Sequence, residues 1–380
     1  MDPPIIPTVQ AWVRDTPGAI SLGQGVVSYG PPDAAFEALR AFGSDPADHR
    51  YGPVEGDPEL LAAIDEKLSR DNGILPHAGR TVMVTAGSNM GFMAVALALL
   101  SPEDEVLLPC PYYFNHAMAI RMVGAVPVPV PSGPNFVLDL DALVSALTPR
   151  TRAIVTVSPN NPTGVVYDAE TLKAVNVLCQ DRGLFHISDE AYEYFTYEGA
   201  THCSPAARVG SEAHTISLFS LSKSLGMAGW RLGYLVVPAA LRPALEKIQD
   251  TNLICAPRPS QRAAARVLTE ARCYVDRHRG DMEALRRSAV EQFAPLSSCC
   301  RLYPTQGAFY FLLGLKTSLP GLAVAERLVR EHRVAVVPGE AFGLTQGCFL
   351  RVSYGAPEAE TVRAGFRRLA LGVDAICRAG

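Results

Sequence analysis

The chain has 380 residues, with 34 Lys plus Arg against 38 Asp plus Glu, so its formal charge at pH 7 is −4. Hydrophobic residues make up 48% of it, which argues against disorder, and the slightly acidic balance argues against a nucleic-acid partner, which would need a basic surface. The apolar runs are too short to cross a membrane, no secretory signal is evident, and nine cysteines are too few for a disulfide scaffold, so we expect a cytoplasmic protein without a membrane partner.

The hydrophobic pattern from about residue 80 onward alternates between strands and helices, which is typical of a mostly parallel sheet flanked by helices. The predicted strands are 81–87, 105–111, 125–130, 152–159, 184–190, 215–222 and 229–237. The predicted helices between them are 89–100, 116–124, 139–147 and 168–181. Two prolines in the stretch 125–130 restrict that strand to the edge of the sheet.

The pattern changes after about residue 275 to an α+β arrangement that begins with a long helix over 275–293 and ends with a terminal helix. A chain of this length exceeds what one core usually fills, so two domains are expected. We predict an α/β fold with a large domain over residues 41–275. A smaller α+β domain would combine residues 1–40, which are rich in Pro and Gly, with residues 276–380.

The lysines are few, and one of them lies in an unusual setting. Lys67, Lys173, Lys247 and Lys316 lie in stretches with polar neighbours and are predicted at the surface. Lys223 lies in LFSLSKSLGMAGW, among small and apolar residues. A buried amine needs a partner or a chemical role. Such a lysine can lose its proton and act as a nucleophile, and a buried Lys–Asp ion pair is the alternative.

Polar, Gly- or Pro-containing segments follow several predicted strands, where open α/β sheets bind their ligands. These segments are TAGSN (85–89), SPNNPTG (158–164), SDEAY (188–192), SLSKSLGMAGWR (220–231) and FLRVSYG (349–355). Taken singly, most have an ordinary structural interpretation. Ser88 and Asp189 suit helix N-caps, and SPNNPTG suits a turn. Their combination along one chain is what indicates a function.

In that order, Asn161, Asp189, Lys223, Arg231 and Arg351 resemble the class I/II aminotransferases, the fold-type-I enzymes that depend on pyridoxal 5′-phosphate. The resemblance extends from LGQG (22–25) to RVSYG (351–355). It implies a large cofactor-binding domain and a smaller α+β domain. It also implies transfer of the amino group of an L-amino acid to a 2-oxo acid by a ping-pong mechanism.

The resemblance implies a role for each matched residue around the cofactor ring. Lys223 would bond to the cofactor aldehyde and act as the base. Asp189 would hold the pyridine nitrogen and so keep the ring electron-withdrawing. Tyr192 and Asn161 would bind the phenolic oxygen, and Tyr113 would stack on the ring.

The resemblance also implies the two anion sites. The cofactor phosphate would be held by the side chains of Arg231, Ser220, Ser88 and Asn89 and by the amide of Gly87. Ser222 would point the other way if residues 220–222 are extended. Tyr51 would reach the phosphate of a neighbouring subunit, which implies a homodimer with shared active sites. Arg351, with Gly23 and Asn161, would bind the substrate carboxylate.

The segments LGQG and PYYFNH look more like the aromatic, methionine and kynurenine branch of the family than the aspartate branch. Residues 249–262 offer no obvious second carboxylate clamp, although Arg258 is nearby. We therefore expect an aromatic or methionine-like substrate in an apolar pocket that includes Val26, Tyr29 and residues of the partner chain. A C–S lyase, a decarboxylase, an aspartate/glutamate-type transaminase and a cofactor-binding regulatory protein remain alternatives. No metal site is expected.

Overall fold

The computed structural model describes residues 5–75, 79–303, 305–356 and 358–379. Its helices are α1 (Ile5–Arg14), α2 (Asp33–Ala41), α3 (Pro58–Lys67), α4 (Ser88–Leu99), α5 (Phe114–Met122), α6 (Leu140–Ser145), α7 (Ala169–Arg182), α8 (Leu221–Ser224), α9 (Arg242–Asn252), α10 (Arg258–Val267), α11 (Ala271–Phe293), α12 (Gly321–His332) and α13 (Ala359–Ala379). Its strands are β1 (Ile20–Ser21), β2 (Arg80–Thr85), β3 (Glu105–Cys110), β4 (Val126–Pro131), β5 (Thr151–Val157), β6 (Phe185–Asp189), β7 (Thr215–Ser220), β8 (Gly233–Pro238), β9 (Cys300–Leu302), β10 (Tyr310–Leu315), β11 (Val334–Ala335), β12 (Val337–Pro338) and β13 (Cys348–Ser353).

The large sheet has the strand order β2-β8-β7-β6-β5-β3-β4. Its neighbours are parallel except where β8 lies antiparallel to both β2 and β7. Both faces are covered: Val106 and Leu108 of β3 join one core with helix residues, whereas Leu107 between them joins another. This explains the near-continuous apolar runs of the sequence. The prediction of a mostly parallel α/β fold with β4 at the edge is confirmed.

The C-terminal part forms a second, antiparallel sheet with the order β12-β13-β10-β9. The short strand β1 pairs in parallel with β11, which brings the N-terminal segment to this side of the molecule. Helix α1 packs there too, with Val9 in one cluster with Val329 and Ala335. Helix α2 instead packs against α10. None of the helices in the described ranges combines the length and apolar character needed to span a bilayer.

One predicted strand ends earlier than expected, and this changes the direction of a side chain. The strand predicted over 215–222 stops at Ser220, whose hydroxyl accepts a hydrogen bond from the backbone N–H of Ser222 at 3.2 Å. Such a cap starts a helical turn, α8, which carries Lys223. The strand prediction is therefore wrong at residues 221–222. The extended backbone under which Ser222 would point away from Ser220 is not present, and both side chains reach the same cavity.

One lysine predicted at the surface is buried. Lys67 is 1% exposed, while the other three lysines assigned to the surface are exposed. Its amine contacts the carboxylate of Glu193 at 2.6 Å and the Asn72 side-chain oxygen at 2.8 Å. The prediction failed because Glu193 lies 126 residues away along the chain, so no local pattern reveals this partner.

Candidate active site

A cavity of about 650 Å³ lies where the carboxyl ends of β5, β6 and β7 face the second sheet. The predicted site residues that line it are Gly23, Ser88, Asn89, Tyr113, Asn161, Asp189, Tyr192, Ser220, Lys223, Arg231 and Arg351. Tyr51 lies elsewhere on the surface and is 80% exposed. The chain therefore brings together residues that are more than 300 positions apart in the sequence.

Lys223 enters the cavity from the single turn of α8. Its amine donates to the Gly25 carbonyl oxygen, and the backbone carbonyl oxygen of Lys223 accepts from the Tyr29 hydroxyl at 3.2 Å. Burial, together with the positive charges of Arg351 and Arg231, lowers the pKa of Lys223 to about 8, although Asp189 opposes the shift. At pH 7 about one tenth of an amine with this pKa is uncharged and nucleophilic, far more than of an ordinary lysine.

Asp189 ends β6 and is buried. One carboxylate oxygen accepts from the backbone N–H of Ala191 at 3.1 Å, and the other lies 3.1 Å from His116 Nε2. The His116 ring stacks on Phe92 with centroids 4.2 Å apart. The sequence did not identify His116, although PYYFNH contains it. It helps to fix the Asp189 carboxylate, because α5 brings the His116 ring next to the end of β6.

Tyr192 is hydrogen-bonded on two sides. Asn161 donates to its hydroxyl at 3.4 Å, and the Tyr310 hydroxyl lies 2.8 Å from it. Both phenols are buried, and burial raises the pKa of each, that of Tyr310 to about 12. Both rings are therefore neutral at physiological pH. The sequence did not identify Tyr310, which resembles a core residue within the apolar stretch GAFYFLL.

Arg351, in the middle of β13, is 3% exposed. Its terminal nitrogens donate to the Asn161 side-chain oxygen at 2.9 Å and to the Gly23 carbonyl at 2.6 Å. Its Nε is buried and has no hydrogen-bond partner. A guanidinium held in this way keeps donor capacity for an anion, and a carboxylate is the best geometric match.

The N-terminus of α4 forms a second anion-binding region. Its N-cap is Gly87, without a side-chain cap, so Ser88 is the first helical residue and the interpretation of Ser88 as an N-cap is wrong. The first N–H groups of a helix carry partial positive charge. The amide of Gly87, predicted to bind the phosphate, donates instead to the Thr85 carbonyl at 2.7 Å.

Gly87 contributes space rather than a donor. Its φ is +84°, and a side chain there would run into the guanidinium of Arg231. Arg231 itself has a φ of +53°, a left-handed conformation that a residue with a side chain rarely adopts. Together with the hydroxyls of Ser88, Ser220 and Ser222, this arrangement suits a phosphate dianion.

Helix α1 supplies a wall of the cavity that the sequence did not predict. The residues of this helix that line it are Ile6, Val9, Gln10, Val13 and Arg14. Their spacing of three and four positions places them on one helix face. The Pro- and Gly-rich composition of the first 40 residues hid this amphipathic pattern, which covers only ten residues.

Of the two residues predicted to form the substrate pocket, one lies as expected and the other does not. Val26 lines the cavity, but the ring of Tyr29 stacks on His278 with centroids 3.9 Å apart. The Tyr29 ring therefore packs on α11 and does not line the pocket. Arg258 is engaged with Asp57 at 3.4 Å and with the carbonyl oxygen of Arg50 at 3.2 Å. It therefore offers no carboxylate clamp within its own chain's cavity.

The cavity thus combines a lysine of lowered pKa, a buried carboxylate, a phenol, and two separate anion-binding regions around Arg231 and Arg351. This set suits a ligand with a phosphate at one end and a basic ring nitrogen at the other, beside a substrate carboxylate. In the described part of the chain, no group of three or more His, Cys, Asp or Glu is placed to hold a metal ion.

Comparison with known proteins gives the same family over nearly the whole chain. Residues 17–369 match the sequence profile described as "Aminotransferase class I and II". An aromatic aminotransferase of Arabidopsis thaliana is 34% identical over 100% of this chain and 96% of its own length. An aspartate/prephenate aminotransferase of Thermus thermophilus is 34% identical over 92% of this chain and 90% of its own. The crystal structure of an aromatic aminotransferase from Pyrococcus horikoshii has a TM-score of 0.89 and 31% identity, covering 97% of this chain and 99% of that one.

Proposed function

The chain belongs to the class I and II aminotransferase family, and on that premise we propose that it transfers the amino group of an aromatic or methionine-like L-amino acid to a 2-oxo acid. It is an enzyme dependent on pyridoxal 5′-phosphate, as members of this family are. The observation that carries the proposal is that the amine of Lys223 shares one cavity with the buried side chains of Asp189 and Arg351.

We propose that the matched residues hold the cofactor as follows. Lys223 would bond to its aldehyde, and Asp189, positioned by His116, would face the pyridine nitrogen. The α4 N-terminus with Arg231 would hold the phosphate, helped by the hydroxyls of Ser88, Ser220 and Ser222 and the side chain of Asn89. Tyr192 and Asn161 would bind the phenolic oxygen, and Tyr113 would pack on the ring. The glycine at position 87 supports this assignment, because a Cβ there would displace the guanidinium of Arg231.

When bound, the cofactor supplies an electron-withdrawing ring that stabilises negative charge at the substrate α-carbon. The protein's own contributions follow from its geometry. Arg351, held by Asn161 and Gly23, binds the α-carboxylate and fixes the orientation of the α-hydrogen. Lys223, with its lowered pKa, removes the α-proton as a neutral amine and later returns a proton.

The wall formed by α1 supports an apolar side-chain pocket, because Ile6, Val9 and Val13 line the cavity beside Val26. The same helix face carries a specific observation for a second candidate function. Arg14 also lines the cavity, and a guanidinium there would attract a second carboxylate. An acidic amino donor, as the name of the Thermus thermophilus relative indicates for that protein, is therefore the second candidate.

A donor screen of the cofactor-loaded enzyme tests both candidates. Phe, Tyr, Trp, Met, kynurenine, Glu and Asp are each added in a single turnover, and release of the matching 2-oxo acid is measured. Conversion of Phe or Met with little conversion of Asp supports the aromatic assignment, and the opposite result contradicts it. Release of ammonia with pyruvate would indicate a lyase.

Arg14→Gln is the matched variant for that screen, since it keeps the helix and removes the charge. If Arg14 binds an acidic side chain, kcat/KM for Glu and Asp falls about tenfold, the size of one exposed charge-assisted contact, while that for Phe stays unchanged. If kcat/KM for Glu and Asp is the same in Arg14→Gln as in the wild-type protein, Arg14 does not bind an acidic side chain.

We further propose a cytoplasmic homodimer in which each active site receives Tyr51 from the partner subunit. The exposed ring of Tyr51, which lies outside the cavity of its own chain, supports the shared active site. The nine cysteines, which are all free, support a reducing compartment such as the cytoplasm. Sedimentation of the purified protein at the mass of one chain would contradict the dimer.

The division into a domain of residues 41–275 and one of 1–40 with 276–380 is also a proposal. Pairing of β1 with β11 supports it, although α2 ties residues 33–41 to α10.

A further inference from the structure

Tyr310 lies at the junction of two parts of the site that the reaction uses separately. Its hydroxyl is 2.8 Å from that of Tyr192, and its ring face lies 4.6 Å from the guanidinium carbon of Arg351. It is completely buried and lines the cavity. The chain also leaves room for this hydroxyl, because a Cβ on Gly25 would overlap it.

The direction of the hydrogen bonds around Tyr192 follows from the chemistry of its neighbours. Arginine has donors only, so the Asn161 side-chain oxygen must face Arg351 and its NH₂ group must face Tyr192. The Tyr192 oxygen therefore accepts from Asn161. A hydroxyl has one proton and two acceptor sites, which leaves one acceptor site and the proton to be assigned.

We propose that Tyr310 is a positioning residue that donates its proton to the Tyr192 oxygen, so that Tyr192 directs its own proton into the cavity. With two donors on its oxygen, the Tyr192 phenol is a stronger donor towards the phenolic oxygen of the bound cofactor. The ring of Tyr310 also packs on Arg351 and holds the carboxylate clamp. This inference rests on the proposed function, since it assigns Tyr192 a partner on the cofactor.

Tyr310→Phe removes only the hydroxyl and keeps the ring. Weaker donation by Tyr192 leaves more negative charge on the phenolic oxygen, which favours the protonated form of the cofactor–lysine linkage. The pH midpoint of the visible absorbance of the loaded enzyme therefore rises by about 0.5 to 1 unit, the size of a single hydrogen bond. The KM for the amino donor stays within about twofold, because the ring still packs on Arg351.

Tyr310→Leu removes the ring as well. We expect the same rise of the midpoint together with a three- to tenfold rise of KM, the range of a cation–π contact. Phe342 is the matched control, since its ring lies 5.0 Å from the same guanidinium carbon but carries no hydroxyl. Phe342→Leu should raise KM and leave the midpoint unchanged. Thermal unfolding and cofactor titration of each variant verify that it folds and loads.

The sign of the shift decides the proposal. If Tyr192 instead donates to Tyr310, removing the Tyr310 hydroxyl frees the Tyr192 proton for the cofactor, and the midpoint falls. A fall or an unchanged midpoint in Tyr310→Phe therefore overturns the inference. Failure of the proposed function looks different, because wild-type protein would then show no visible band that Lys223→Ala removes.

Discussion

Two buried lysines in this chain meet opposite surroundings. Lys67 contacts a carboxylate, Glu193, at 2.6 Å, and its amine lies 4.3 Å from the centre of the Phe219 ring. The amine of Lys223 contacts a neutral acceptor, the Gly25 carbonyl oxygen, and the positive charges of Arg351 and Arg231 disfavour its protonated form. Burial lowers the pKa of both amines, but Glu193 counteracts it at Lys67, whereas Arg351 and Arg231 reinforce it at Lys223.

The comparison shows that burial alone does not make a lysine reactive. A buried ion pair with additional hydrogen bonds keeps its charge and supports the fold. A buried amine beside positive charges and a cavity becomes a base and a nucleophile. The sign of the nearest charges thus separates a structural lysine from a chemical one.

Replacing each of the two lysines in turn should give the largest effects, on catalysis for Lys223 and on stability for Lys67. Lys223→Ala should lower kcat about 10⁴-fold and abolish the cofactor absorbance, because in the described part of the chain no second lysine lines the cavity to replace it. Its urea unfolding should stay close to wild type. Lys67→Met should instead destabilise the protein by about 3–5 kcal/mol, because the Glu193 carboxylate stays buried without its partner. The kcat of its folded fraction should change little.

A double variant controls for the shape of the Lys67 site. Lys67→Met with Glu193→Gln removes both charges and should recover part of the lost stability. No recovery would mean that packing of the lysine stem, rather than charge pairing, holds this region. A large loss of kcat in Lys67→Met at full cofactor loading would break the distinction between the two lysines.

Features that have a local signature in the sequence could be predicted. Lys223, Asp189 and Asn161 lie in short segments next to strand ends, so their spacing is visible locally. The strands were predicted to within a few residues because runs of Val, Ile and Leu mark a sheet covered on both faces. The start of α8 was missed because a single serine cap, Ser220, ended the strand.

Features that depend on distant partners could not be predicted in this way. The burial of Lys67 depends on Glu193, and the role of Tyr310 depends on Tyr192, 118 residues away. The wall of α1 depends on how the N-terminal segment docks on α12. Each is a property of tertiary contacts between segments whose local patterns are those of ordinary surface or core.

The smallest effect tests the cause of the low Lys223 pKa. In cofactor-free protein, a small amine-reactive reagent should label Lys223 with a rate that rises with pH to a midpoint near 8, because only the neutral amine reacts. Peptide mass spectrometry of the same samples reports Lys67 and the exposed Lys316. Lys67 should be protected because it is buried, whereas the exposed Lys316 should be labelled and serves as the accessible control.

Two substitutions then move the Lys223 midpoint in opposite directions. Arg351→Gln removes a repelling charge, so the pKa of Lys223 and the midpoint should rise by about half a unit. Asp189→Asn removes an attracting charge, so the midpoint should fall. The extent of labelling of the exposed Lys316 should be the same in each variant. If both substitutions left the Lys223 midpoint near 8, burial alone would set its pKa, and the difference from Lys67 would lie in the missing carboxylate partner rather than in the arginines.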